Sequence, residues 1–214
     1  MKKKWLTSLI CISAMTSGSL YAAPSEALIA EYNLAAQGDE EKVTLVYEQL
    51  TTQINTHGSD ALSLVYLGST QTLMGRDAWM PWNKMKYTEQ GLATISKGLD
   101  LIVSQSLPLE QQVIRQGLPE SLLARSIAAS TFTSLPDMFN HFERGYDLFL
   151  DLLAEPSFNQ QPIEATSWVY LYAVNAAVKA GDHEQGAEWV AQLQRLHPEH
   201  TVVAQAQAIL QSAA

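Results

Sequence analysis

Gly38-Asp39-Glu40-Glu41 and Gly181-Asp182-His183-Glu184 are two copies of one signal. Each stands between two stretches of helical periodicity. Glycine accepts the left-handed conformation that closes a helix. The aspartate after it can accept hydrogen bonds from the free N–H groups of the next helix. A glutamate in that helix's first turn suits the positive end of its dipole. Both stretches therefore read as helix, tight turn, antiparallel helix. Gly75 closes a third apolar helical stretch and is read as a terminator in the same way.

Working outward, the same periodicity fills the chain. Ser25 to Gln37 carries Leu28, Tyr32 and Ala35 on one face. Asp39 opens a second helix with Val43, Val46, Tyr47 and Leu50, and Ser59 or Asp60 opens a third, striped by Leu62, Val65, Tyr66 and Leu73. Arg76 to Trp82 reads as irregular, with Pro81 inside it, before Lys84 to Ser104 resumes the helical pattern. Leu109 to Gln116 reads as a short helical piece between Pro108 and Pro119, and Glu120 to Phe132 as a helix along Leu123, Ile127 and Ala128. Ser134-Leu135-Pro136-Asp137 has capping-box spacing before an amphipathic helix of Met138, Phe142, Tyr146, Phe149 and Leu153. Pro156 to Gln161 reads as a loop, and Pro162 as the first turn of a helix to Ala180. Asp182 opens its partner, which ends near His197-Pro198, and Thr201 to Gln211 reads as a final capping helix. No segment has the period of a strand.

The N-terminus is expected to be a processing signal. Lys2, Lys3 and Lys4 precede a short apolar core from Trp5 to Met15, and Ser17 to Ala23 supplies the small residues of a cleavage region. Residues 1–22 read as a signal peptide, cut after Ala22, and residues 23–214 as one domain, periplasmic or secreted. Cys11 follows Ile10 and lies too early for lipidation; as the one cysteine, it leaves with the signal. That excludes disulfides and thiol chemistry from the mature chain. Cleavage takes three of the 13 basic residues and none of the 22 acidic ones, so 10 face 22 and the net charge is −12. Such an acidic chain is repelled by nucleic acid. No stretch reaches the ~18 apolar residues of a membrane span, so an integral membrane protein is not expected.

Helix pairs closed by Gly-Asp turns, Leu67-Gly68 seven residues before Gly75, and Pro198 at the end of the last pair resemble the tetratricopeptide repeat family. The resemblance covers about three quarters of the mature chain and is degenerate. Tyr172 or Val174 stands where the final unit wants glycine, and residues 109–154 match by helix pattern only. It implies an all-α fold, with antiparallel helix pairs stacked as a short right-handed solenoid and an irregular insertion near residues 76–86. It also implies a non-catalytic binding module or scaffold without a cofactor, whose partner is a protein or peptide of the cell envelope.

The densest chemistry lies in that insertion. Arg76, Trp79, Trp82, Lys84, Lys86 and Tyr87 fall within twelve residues, and Trp, Tyr and Arg are the residues that anchor interfaces. They are the candidate partner-binding residues. The competing reading makes Trp79 and Trp82 plugs between helix pairs. Two other functions follow from other residues. A small-ligand or metal carrier could use the thioethers of Met74, Met80 and Met85, which suit Cu(I), or His183, His197 and His200. A cell-wall hydrolase is suggested by Glu120-Ser121, which resembles the Glu-Ser pair of lytic transglycosylases, although nothing downstream matches the rest of their motif.

Overall fold

In the computed structural model the described residues are 23–212. The signal peptide expected over residues 1–22 lies outside them. Ten α-helices follow one another: α1 Glu26–Ala36, α2 Glu40–His57, α3 Ala61–Asp77, α4 Pro81–Gln105, α5 Glu120–Ser134, α6 Phe142–Ala154, the single turn α7 Pro156–Asn159, α8 Ile163–Ala180, α9 His183–Leu196 and α10 Thr201–Gln211. Sequential helices pack as pairs: α1 on α2, α3 on α4, α5 on α6 and α8 on α9, with α10 closing against both α8 and α9.

The two Gly-Asp turns have one geometry. Gly38 and Gly181 take positive φ, 116° and 74°. The N–H of the following aspartate then reaches back five residues, Asp39 to Leu34 O at 3.2 Å and Asp182 to Ala177 O at 2.9 Å, which satisfies carbonyls that the helix end would leave free. The same aspartates cap the next helix. Asp39 Oδ1 accepts from the Lys42 N–H and Asp182 Oδ1 from the Gln185 N–H. Asp182 does a third job, because its Oδ2 accepts from the Tyr146 hydroxyl at 2.9 Å. Asp182→Ala is therefore expected to lose more than a cap. The cap alone is worth about 0.5–2 kcal/mol, and the stranded tyrosine hydroxyl adds roughly 1–3 kcal/mol. Urea unfolding of Asp182→Ala beside Asp39→Ala checks this; equal losses at the two turns would rule out the added role.

Two apolar clusters form the core, and α5 lies between them. Leu123, Ala124, Ile127, Ala128 and Phe132 face the N-terminal cluster, with Ile29, Val46, Leu62, Tyr66 and Ile95. Leu122 and Ala129 face the C-terminal cluster, with Phe149, Tyr170, Val174, Trp189 and Leu193. A helix apolar on opposite sides is a buried one, and α5 joins the two halves by packing on both α3 and α8.

The α3–α4 pair has the closest approach. Gly68 of α3 and Gly91 of α4 face each other: a Cβ on Gly68 would lie 2.6 Å from Gly91 O. One heptad along each helix, Gly75 lies against Thr88 and Gly98 against Ala61 and Val65. Gly68 thus lets the two helices meet at backbone distance. Gly75 does not terminate a helix. It lies inside α3, which runs to Asp77, and its missing side chain makes room for Thr88.

That overturns the irregular insertion expected near residues 76–86. Arg76 and Asp77 are the last turn of α3, and α4 begins at Pro81, so only Ala78, Trp79 and Met80 are non-helical. Pro81 is the first helical residue, where its fixed φ and missing N–H fit. Four smaller expectations also change. Residues 109–116 are not helical throughout: a 3₁₀ turn at Leu109–Gln111 is followed by strand β1 Ile114–Arg115, paired antiparallel with β2 Leu118–Pro119. The linking residues Gln116 and Gly117 both have positive φ, 50° and 78°, as a two-residue hairpin requires. Glu26 of α1 holds this turn by accepting from the Gln116 backbone N–H and from its side-chain amide. Ser134 is the last residue of α5 rather than a cap, and α6 begins only at Phe142, after a 3₁₀ turn at Asp137–Phe139 and the left-handed Asn140. The stretch 156–161 contains α7, and Pro162 stands just before α8 rather than in its first turn.

Candidate binding groove at the α3–α4 turn

The short turn splits the Arg76–Tyr87 segment between two surfaces. On one side a cavity of about 670 Å³ opens between the C-terminal ends of α1, α3 and α5, the first turns of α4, the 3₁₀ turn at Asp137–Phe139, and Tyr172 of α8. Arg76 and Lys84 line it. On the other side a groove of about 340 Å³ runs between the turn and α2, lined by Trp79, Tyr87, Met74, Met80 and Val43. Trp82 and Lys86 line neither; Lys86 holds its ammonium 5.5 Å from the centre of the Tyr87 ring. The six candidate residues are thus neighbours around one turn, but they do not converge on one site.

The tryptophans are not plugs. Trp79 is 84 % exposed and Trp82 64 % exposed, and neither belongs to the apolar clusters of the core.

The two cations do different things. Arg76 Nε and one terminal nitrogen donate to the Asp77 carboxylate, at 2.6 and 3.0 Å. The same guanidinium donates to Ala35 O and Ala36 O, the last carbonyls of α1. Arg76 therefore ties the end of α3 to the end of α1, and its charge is balanced by Asp77. Lys84 donates to Arg76 O at 3.0 Å, and it forms no ion pair among the described residues.

The deep wall is built from side chains remote in sequence. Tyr32 packs edge-on against Tyr66, with ring centres 4.8 Å apart. Burial pushes the Tyr32 phenol up to about 12, against the hydrogen bonds with Ser69 and Thr131. Ser69 Oγ lies 2.8 Å from Thr131 Oγ1, joining α3 to α5. At the mouth, Met138 is 66 % exposed and Tyr172 44 % exposed. Sequence reasoning did not place Tyr32, Thr131, Met138 or Tyr172 in a site, because only the packing of α1 and α5 onto α3, and of α8 onto α5, brings them together. The pairing of Ser and Thr on otherwise apolar helix faces was the available signal.

The other sequence candidates lie elsewhere. Glu120 opens α5 beside a cavity of about 200 Å³ that Asp60 and Ser121 also line. Burial raises its carboxyl above the usual range, and Arg115, 3.3 Å away, opposes that. Met74 and Met80 face the small groove while Met85 faces the large cavity, so the three thioethers do not meet. His200 Nδ1 accepts from the Val202 N–H and caps α10. Among the described residues no three His, Cys, Asp or Glu side chains gather as metal ligands, and no helix is long and apolar enough to cross a membrane.

Helix pairs around an apolar cavity define the class of this molecule. Comparison with known protein families, with curated proteins and with solved structures finds no match to the chain.

Proposed function

We propose that the chain is an exported, tetratricopeptide-like binding module of the cell envelope, non-catalytic, that holds a protein or peptide partner at the α3–α4 turn. The observation that carries this reading is the exposure of Trp79, on the three-residue turn, and of Trp82, in the first turn of α4, at the junction of two of the most tightly packed helices. A rigid support with projecting aromatics is what an interface anchor needs. Lys86 stands beside the tryptophans on a chain that is otherwise strongly acidic, so the matching partner surface is apolar with an acidic rim. The solenoid reading is supported by the contacts between alternate helices. α1 meets α3, α3 meets α5, α5 meets α8 and α8 meets α10, as an inner row of stacked pairs would.

Trp79→Ala combined with Trp82→Ala tests the proposal. The double variant is expected to unfold within about 0.5 kcal/mol per site of the parent, as exposed positions do, and to lose its partner in crosslinking carried out in the intact envelope. Lys86→Glu is expected to weaken capture, and added salt should shrink that difference. A large loss of stability with unchanged capture would move the interface away from this turn.

A further inference from the structure

The cavity behind the turn is distinct from the exposed tryptophans, and its chemistry is uneven. Its volume of about 670 Å³ falls inside the ~300–1,000 Å³ of small-molecule sites. Leu73, Met85, Leu135, Met138 and Phe139 give it an apolar lining. Three of the hydroxyls in its wall spend their protons internally. Thr131 and Ser130 donate to Ile127 O, and Thr72 donates to Ser69 O. The free cationic donor stands at one edge, where Lys84 spends one N–H on Arg76 O and keeps two. Arg76 adds little there, since Asp77 already holds it. Beside Lys84, α4 begins with neither a side-chain cap nor an acid in its first turn, which leaves the positive end of its dipole unopposed.

We propose that this cavity is a binding site for a single-chain amphiphilic monocarboxylate, such as a medium-chain fatty acid, with its tail among Leu73, Leu135 and Phe139 and its carboxylate on Lys84. One apolar body matches the lining, and one negative charge matches Lys84, the one lysine in that lining, which forms no ion pair among the described residues.

The test uses the mature chain and titration calorimetry with dodecanoate, kept below its micelle concentration. Dodecanoate is expected to bind saturably, one per chain. Dodecyltrimethylammonium, with the same tail and opposite charge, and dodecyl phosphate, with a higher charge, are both expected to bind at least about tenfold more weakly. Lys84→Met keeps the stem and should weaken dodecanoate by about tenfold, and Lys84→Arg should restore it. Ala36→Trp places an indole into the cavity from an exposed position of α1 and should abolish binding without lowering the melting temperature. No saturable binding of dodecanoate, equal binding of the cationic probe, tighter binding of the phosphate, or unchanged binding in Ala36→Trp would each overturn the assignment. Because Trp79 and Trp82 do not line the cavity, their double alanine variant should keep dodecanoate binding even where it loses the protein partner. Failure of one proposal is thus read separately from failure of the other.

Discussion

Gly91→Ala is expected to destabilise the protein by about 1–3 kcal/mol or more, although the same change in an unconstrained helix stabilises by about 0.8–1.0 kcal/mol. The reversal of sign comes from the seam between α3 and α4. A Cβ on Gly91 would stand 2.5 Å from Gly68 O and 3.0 Å from the Thr72 nitrogen. Those atoms are backbone, so no rotamer change relieves the clash and the helices must move apart. Gly98→Ala meets Ala61 O at 2.8 Å and should behave alike. Ala93, exposed on the same helix, supplies the control through Ala93→Gly, which should cost about the ordinary helix penalty. Thermal or urea unfolding of the three variants decides the matter. A stabilised Gly91→Ala would mean that α3 and α4 are not in backbone contact.

The seam also accounts for what was legible in the sequence. The pairs closed by Gly38-Asp39 and Gly181-Asp182 could be read because a left-handed glycine and a capping aspartate act within six residues of each other. Local chemistry fixes those turns before any tertiary contact forms. Gly75 carries the same letter for a different reason. It is helical, and what it needs is space for Thr88, thirteen residues away on another helix. A single sequence does not separate these two uses of glycine, so Gly75 reads as the end of α3 and the Arg76–Tyr87 segment as an insertion. Pro81 deepened the error, since a proline starts a helix as readily as it interrupts one. The hairpin at Gln116-Gly117 was hidden because glutamine is an uncommon residue at positive φ, and the contact that holds it there comes from Glu26 at the far end of the chain.

The candidate site divides along the same line. Arg76, Trp79, Trp82, Lys84, Lys86 and Tyr87 are adjacent in sequence, and composition alone singled them out. Their division between a large cavity, a small groove and open solvent depends on the turn being three residues long, with helix running up to it from both sides. The large cavity needs Tyr32, Thr131 and Tyr172 from three other helices. Nothing in their local sequence distinguishes them from core residues, because until α1 and α5 meet α3, and α8 meets α5, they have no shared surroundings.

Alkali is expected to unfold this protein well before a chain with exposed tyrosines would respond. Burial pushes the phenols of Tyr32 and Tyr170 up to about 12. Tyr66 is raised well above its ordinary value, also by burial, and Tyr146 is raised by burial and by its bond to Asp182. In the unfolded chain each would ionise near 10. The folded state therefore keeps protons that the unfolded state releases, and stability is full below pH 10 and falls as the pH rises toward the folded values. Each such tyrosine removes roughly 1.4 kcal/mol per pH unit, so Tyr32 and Tyr170 alone remove on the order of 5 kcal/mol between pH 10 and pH 12. That is comparable with the whole stability of a small domain, about 5–15 kcal/mol. Tyr32→Phe keeps the ring against Tyr66 and deletes the ionisable group, so its unfolding free energy, from urea titrations, should fall less steeply with pH than the parent's, by about 1.4 kcal/mol per unit. Tyrosinate absorbance recorded on the same samples should rise together with unfolding. If the buried phenols ionised near 10 in a protein that stayed folded, the packing of Tyr32 between α1, α3 and α5, and with it the wall of the cavity, would have to be redrawn.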